Sequence, residues 1–243
     1  MRLALLHARS ATLELLRLPA YLVPTLAFPL LFFLVFAAPN VDAAEADIAA
    51  VLFAGFAVIG VALFQFGVGI ANERVSPWES YLRTLPIDPP IRFAGRVLSA
   101  CVFGFAAAAT VVAGALATTP VSLPPGRWIA LAFVLALGVA PFALLGIALG
   151  YLASPRGALP IANLVYLGLS YAGGLWTTPT DLPDRVAAIS PYLPTRGFAD
   201  ALIGVAVGRP WQWRAWTSLA VFTLVFASVA VWGYRRDEGQ RFR

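Results

Sequence analysis

The sequence predicts an all-α membrane protein with six transmembrane helices in a single membrane domain, residues 1–243. The chain is 60% hydrophobic and only 12% charged, whereas a soluble domain carries about 25% charged residues. Six apolar runs each come close to the ~20 residues that a helix needs to cross the hydrocarbon core of a bilayer. These runs are residues 20–38, 48–71, 97–118, 128–151, 158–177 and 215–234.

Residues 1–18 precede the first run and have the pattern of an amphipathic helix. Leucines recur at helical spacing among charged side chains, at Leu3, Leu6, Leu13 and Leu16. This predicts an interfacial helix that lies on the membrane surface. A cleaved signal peptide is the alternative, but charges recur through the stretch and no small-residue cleavage site follows at a fitting distance.

The segment 72–96, between the second and third runs, predicts a short helix over residues 77–85. Ser76 is a helix cap, Pro77 suits the first helical position, and Glu79 closes a capping box. Leu85-Pro86 ends the helix, because a residue that precedes proline disfavours the helical conformation. One face is apolar, formed by Trp78, Tyr81, Leu82 and Leu85. Two turns do not persist alone in water, so this face needs a surface to pack on.

The segment 178–214, between the fifth and sixth runs, predicts a pair of short helices. They cover about 182–189 and 195–207 and are separated by Ser190-Pro191-Tyr192-Leu193-Pro194. We interpret them as a re-entrant pair that enters the membrane and is buried against protein. A loop that lies flat on the interface is the alternative.

The distribution of arginine predicts the orientation. If both termini are cytoplasmic, twelve arginines fall on inner segments and five on outer segments. The first outer loop has no arginine but has Asp42, Glu45 and Asp47. Both observations agree with the excess of basic residues in cytoplasmic loops. The net charge of +5 is therefore explained by topology, and we expect no nucleic-acid partner.

The composition excludes several kinds of chemistry. All seventeen basic residues are arginine, so the chain lacks the lysine of a nucleotide-binding P-loop or of a Schiff base. With one histidine, one cysteine and one methionine, it has no set of soft or imidazole ligands for a metal and no intrachain disulfide. No catalytic set can be assembled within the membrane runs. We expect no catalytic residue, no metal site and no cofactor in this chain.

The central turns of the six runs carry no charged residue. Ion-coupled transporters keep such charges, so the chain is a poor candidate for one. The polar side chains within the runs are Gln65, Asn163, Tyr166, Ser170 and Tyr171. They either line a path for an amphipathic substrate or form hydrogen bonds between helices, and for any single residue we favour the second interpretation.

Gly146 and Gly150, in the fourth run, have the GxxxG spacing of close helix contacts. In a chain so rich in glycine and alanine this spacing arises easily. It is weak evidence for a contact between two copies.

Several short motifs stand in the two polar segments and at the start of the third run. They are Glu73-Arg74, Trp78-Glu79, Leu82-Arg83-Thr84-Leu85-Pro86, Gly95-Arg96-Val97-Leu98, Leu182-Pro183, Ser190-Pro191-Tyr192-Leu193-Pro194 and Phe198-Ala199-Asp200-Ala201-Leu202. In combination with the predicted elements, these motifs resemble the ABC type-2 exporter permeases over nearly the whole chain. A glycine that is common after the acidic-basic pair of that family is replaced here by Val75-Ser76-Pro77.

The resemblance implies a permease dimer, of identical or different copies, in a bacterial plasma membrane. It implies that two ATPase subunits bind ATP and Mg and drive export of an amphipathic compound, such as a drug, an antibiotic or a lipid. The helix at 77–85 would seat in the ATPase, or its apolar face would pack on the chain's own surface helix. The coupling residues implied are Glu73, Arg74, Trp78, Glu79, Tyr81, Leu82, Arg83 and Leu85.

Three other functions stay open at this point. They are an ion-coupled secondary transporter, a permease for polysaccharide or lipid-linked glycan, and a membrane scaffold that transports nothing.

Overall fold

The computed structural model describes residues 2–77, 89–209 and 212–241, and all regular structure in these ranges is helical. The described helices are α1 (Arg2–Leu16), α2 (Pro19–Phe32), α3 (Ala46–Ala62), α4 (Gly69–Glu73), α5 (Pro89–Thr118), α6 (Pro125–Leu152), α7 (Pro155–Ala172), α8 (Asp184–Ile189), α9 (Pro194–Val207) and α10 (Trp213–Arg241). The all-α prediction is confirmed for these residues.

Two π-helical segments extend the regular helices. Phe33–Ala37 continues α2, and Leu63–Val68 joins α3 to α4 without a break. A π-helical segment widens the turn, and such segments are frequent at functional sites. The second one places Gln65 in the wall of the cavity described below.

Five helices of the described residues are long and apolar enough to cross a membrane. They coincide with the first four predicted runs and the last one: Pro19–Ala37, Ala46–Glu73, Gly95–Thr118, Pro125–Leu152 and Trp213–Asp237. The fifth predicted run, 158–177, corresponds to α7, which is not among the five. A crossing at this position stays a prediction.

Helix α7 ends at Ala172, before the predicted end of its run at residue 177. Gly173 and Gly174 follow, and Gly174 has a φ of 78°. This left-handed conformation suits glycine and is typical of helix ends. The glycine pair therefore ends the helix within the predicted run.

Helix α3 lies at the centre of the bundle. It forms most of the span Ala46–Glu73, in which 78% of the most apolar 18 residues are buried. The corresponding share is 17% in the first span and 17% in the last. Its neighbours are α2, α5, α6 and α9. An apolar helix that is buried on all sides is typical of a membrane bundle core, whereas α2 and α10 present large apolar side chains at the surface.

The segment between α7 and α10 contains the two predicted short helices. Helix α9 is buried against α3, α6, α7 and α10, and Phe198 and Leu202 are fully buried. Thr195 Oγ1 donates to Leu169 O at 2.6 Å, and Arg127 Nη1 donates to Ala206 O at 2.6 Å. By contrast, α8 has no buried residue. Burial against protein therefore holds for α9 alone, and entry of the pair into the membrane stays a prediction.

Helix α1 packs along α5 and against α2. Its Thr12 Oγ1 donates to Ser99 Oγ of α5 at 3.2 Å. This contact attaches the predicted interfacial helix to the bundle at the end where α4 finishes.

Candidate functional site

A cavity of about 810 Å³ lies between α1, α2, the continuous helix α3–α4, α5 and α7. Along α3–α4 its lining runs from Ala57 to Glu73, which is about 24 Å at the rise of a helix. This volume falls within the range of about 300–1,000 Å³ that is typical of small-molecule sites. The cavity is the candidate functional site.

One end of the cavity, which we call the charged end, contains Glu14, Glu73 and Arg96. The Arg96 guanidinium pairs with the Glu73 carboxylate, and Arg96 is also attracted electrostatically to Glu14. The Glu73 side chain is half exposed, so this ion pair contributes at most about 1 kcal/mol to stability. Ser10, Asn72 and Ser76 complete the polar lining at this end.

The opposite end, which we call the apolar end, lies between α2, α3 and α7. Tyr166 forms part of its wall: the ring stacks on Phe56 with centroids 4.5 Å apart, and the hydroxyl donates to Phe56 O at 3.1 Å. A Cβ at Gly60 would lie 2.8 Å from the Tyr166 hydroxyl oxygen, so glycine permits this packing. The other residues lining this end are Phe28, Pro29, Ala57, Val61 and Phe64.

Gln65 lies between the two ends. Its Nε2 donates to Ser99 Oγ at 3.2 Å, which is the same oxygen that accepts from Thr12. The Gln65 Oε1 atom is buried and has no hydrogen-bond partner among the described residues. A buried acceptor without a donor is costly. Because this oxygen is covered by protein atoms, Gln65 contributes its amide to the wall but no acceptor that a ligand reaches in this arrangement.

Three of the five predicted path residues line this cavity, namely Gln65, Asn163 and Tyr166. The other two lie elsewhere: Ser170 is fully buried, and Tyr171 packs against Trp176 with ring centroids 5.8 Å apart. A role of these three residues in a substrate path stays a prediction. Tyr166 also forms an interhelical hydrogen bond, as the structural interpretation expects.

Two of the predicted coupling residues fall within the described ranges, and they have different partners. Glu73 lines the cavity, whereas Arg74 points to α10 and the α6–α7 turn. Arg74 Nη1 donates to Asp237 Oδ1 at 2.7 Å, and Nη2 donates to Ala153 O at 2.6 Å. The other six lie outside the described residues, so their role stays a prediction: Trp78, Glu79, Tyr81, Leu82, Arg83 and Leu85.

Four of the residues that line the cavity were not identified from the sequence, namely Glu14, Tyr21, Phe28 and Phe64. Glu14 carries one usable signal, because it is the only acid among residues 1–18. The aromatic residues carry none, since phenylalanine is abundant throughout the chain. The described residues contain no group of three or more metal-ligating side chains.

Comparisons with known proteins relate the chain to a family of membrane transporters. Residues 4–207 match the family model of the ABC-2 type transporters. The chain is 22% identical to the Bacillus subtilis (strain 168) protein named "Putative transport permease YvfS" over 183 residues, which covers 75% of each chain. No solved structure matches the chain.

The family match covers most of the sequence and extends over α1 to α9, which include all the helices that line the cavity. The chain therefore belongs to the ABC-2 type transporter family and is a permease of a membrane transport system.

Proposed function

We propose that the chain is the membrane subunit of a bacterial ABC exporter that moves an amphipathic compound out of the cytoplasm. The observation that carries the proposal is the cavity, which joins a charged end to an apolar end within an ABC-2 type chain. A compound with one polar part and one apolar part matches both ends at once. Drugs, antibiotics and lipids share this property.

The energy for transport comes from a partner in this proposal. Membership of the family implies an ATP-binding subunit, and the chain has no lysine with which to form its own P-loop. Two ATPase subunits would bind ATP and Mg and associate with two permease copies, identical or paralogous. The predicted helix at 77–85 would make the contact.

The proposed orientation places the charged end at the cytoplasmic side. Glu73, Arg96 and the polar segment 72–96 share this end, and this segment carries four of the arginines that favour the cytoplasm. A substrate would enter from the cytoplasm or the inner leaflet, and membrane lipids surround the outer helices.

Reconstitution tests the proposal. Permease and ATPase are incorporated into lipid vesicles with the ATPase outside, and uptake of a fluorescent amphiphile is followed after ATP addition. We expect uptake that depends on ATP and on both subunits. An ATPase whose P-loop lysine is replaced by methionine is the control.

Two outcomes would contradict the proposal. Uptake that is driven by a proton or sodium gradient in vesicles containing the permease alone would establish a secondary transporter. A complex that forms but neither moves any amphiphile nor changes its ATP hydrolysis in response would indicate a scaffold.

A further inference from the structure

We propose that the cavity selects amphiphiles with a protonated amine head group, held at the charged end beside Glu14. The proposal deepens the function proposed above, because it rests on this cavity being the substrate site. Three properties of the lining support it: the net charge of its described residues, the carboxylate acceptor of Glu14 and the apolar wall.

The described residues of the lining have a negative net charge. Two of them are acidic, Glu14 and Glu73, and one is basic, Arg96. Arg96 pairs with Glu73 and is also attracted to Glu14, so it balances only one of the two carboxylates. A cationic ligand beside Glu14 would balance the other. Water screens this attraction less in a cavity than at an open surface.

The hydrogen-bonding group at the charged end favours a donor. Glu14 lines this end and is an acceptor of negative charge. An ammonium with N–H groups donates to this carboxylate, whereas a carboxylate or phosphate brings more acceptors. A quaternary ammonium balances the charge but donates no hydrogen bond.

The apolar wall accommodates the rest of the ligand. From Gln65 towards Ala57 the cavity is lined by Phe28, Val61 and Phe64 as well as Gly60. The aromatic faces contact an alkyl or polycyclic body, and burying that body contributes affinity but no selectivity between head groups. Head-group selectivity is therefore expected to depend on the charged end.

The test compares three fluorescent ligands with the same body. They are dansylaminooctylamine, its terminal alcohol and its terminal carboxylic acid, titrated at neutral pH against the full-length permease in phosphatidylcholine nanodiscs. Empty nanodiscs correct for partition into lipid. We expect the amine to bind about tenfold more tightly than the alcohol, as one charge-assisted hydrogen bond predicts, and the acid to bind more weakly than either.

Three variants locate the effect. Glu14→Gln should reduce the preference for the amine over the alcohol to less than about twofold, because it removes the charge and keeps the size of the side chain. Thr25→Phe, which fills the cavity from α2, should weaken all three ligands. Glu45→Gln, at an exposed position before α3, is the matched control and should change nothing.

The proposal is overturned if the unmodified protein binds the amine no better than the alcohol, or if the preference survives Glu14→Gln. It is also overturned if Thr25→Phe leaves binding intact, because the ligands then bind elsewhere. The comparison of head groups needs no variant, so misfolding cannot hide the answer. The binding assay requires no ATPase, so the two proposals can fail separately. If the permease selects the amine but no transport is found, only the exporter function is contradicted. If transport occurs but the permease does not prefer the amine, only this inference is contradicted.

Discussion

At the scale of single residues, small side chains determine how closely the helices approach. A Cβ at Gly146 of α6 would lie 2.9 Å from Ala62 O, and one at Gly150 would lie 2.9 Å from Phe66 O. Both atoms belong to the backbone of the helix α3–α4, which cannot move aside cheaply. The GxxxG spacing of α6 therefore serves a contact within the chain.

We expect Gly146→Leu to destabilise the permease by about 1–3 kcal/mol or more, because the added side chain overpacks the α6–α3 contact. The thermal midpoint of the detergent-solubilised protein measures this. Gly168→Leu on α7 is the matched control, since nothing lies within 4 Å of a Cβ there. Equal midpoints for the two variants would show that α6 does not pack on α3 as described.

At the scale of elements, Arg74 joins three parts of the chain that are distant in sequence. It binds the end of α10 through Asp237 and the α6–α7 turn through Ala153 O. The two side chains of the ion pair are 16% and 7% exposed. The start of the predicted coupling loop is thus attached to the last helix.

Asp237→Asn is expected to lower the free energy of unfolding by about 2 kcal/mol. Loss of one partner of a fully buried pair costs about 3–5 kcal/mol, and the solvent access of Arg74 reduces this figure. Thermal unfolding in detergent measures the change. Asp200→Asn breaks the more exposed Arg196–Asp200 pair of α9 and should cost at most about 0.5 kcal/mol. A larger loss in Asp200→Asn than in Asp237→Asn would contradict the assignment of Arg74 as the tighter attachment.

The helix that the sequence predicts at 77–85 gives a prediction about energy transfer. Replacing Trp78 and Leu82 by alanine removes its apolar face, so substrate should no longer stimulate ATP hydrolysis although the protein still inserts. Ser80→Ala with Thr84→Ala alters the polar face of the same helix and serves as the control. Unchanged stimulation in the Trp78/Leu82 double variant would exclude this helix as the coupling element.

At the scale of the whole molecule, the buried position of α3 organises the bundle, and the cavity opens beside it. An odd number of crossings would place the termini on opposite sides of the membrane, whereas six place them together. Whether α7 crosses the membrane therefore decides the topology. Among the described residues, five helices are long and apolar enough to cross, and α7 is not one of them.

A reporter fused after Arg243 should be active only in the cytoplasm, and one fused before Arg2 should show the same location. The reason is the twelve-to-five excess of arginine on the segments that this orientation places inside. A reporter in the outer loop at Asp42 is the control and should be periplasmic. If the two terminal fusions lie on opposite sides of the membrane, the number of crossings is odd and α7 does not cross.

The sequence by itself determined the fold class, the approximate positions of five apolar helices and of the α8 and α9 helices, and the family resemblance. These depend on hydropathy, helix caps and prolines, which act over a few neighbouring residues. It also pointed to Gln65, Asn163 and Tyr166, because polar side chains are rare in apolar runs.

Only the tertiary structure decided which of these side chains share a cavity, that Glu14 joins them, and that Arg74 binds Asp237. Arg74 and Asp237 are 163 residues apart, and no local pattern relates them. Ser170 and Gln65 are both polar residues in apolar runs, but one faces a helix contact and the other a cavity. The physical reason is that hydropathy is a property of one segment, whereas a contact depends on how several segments pack together.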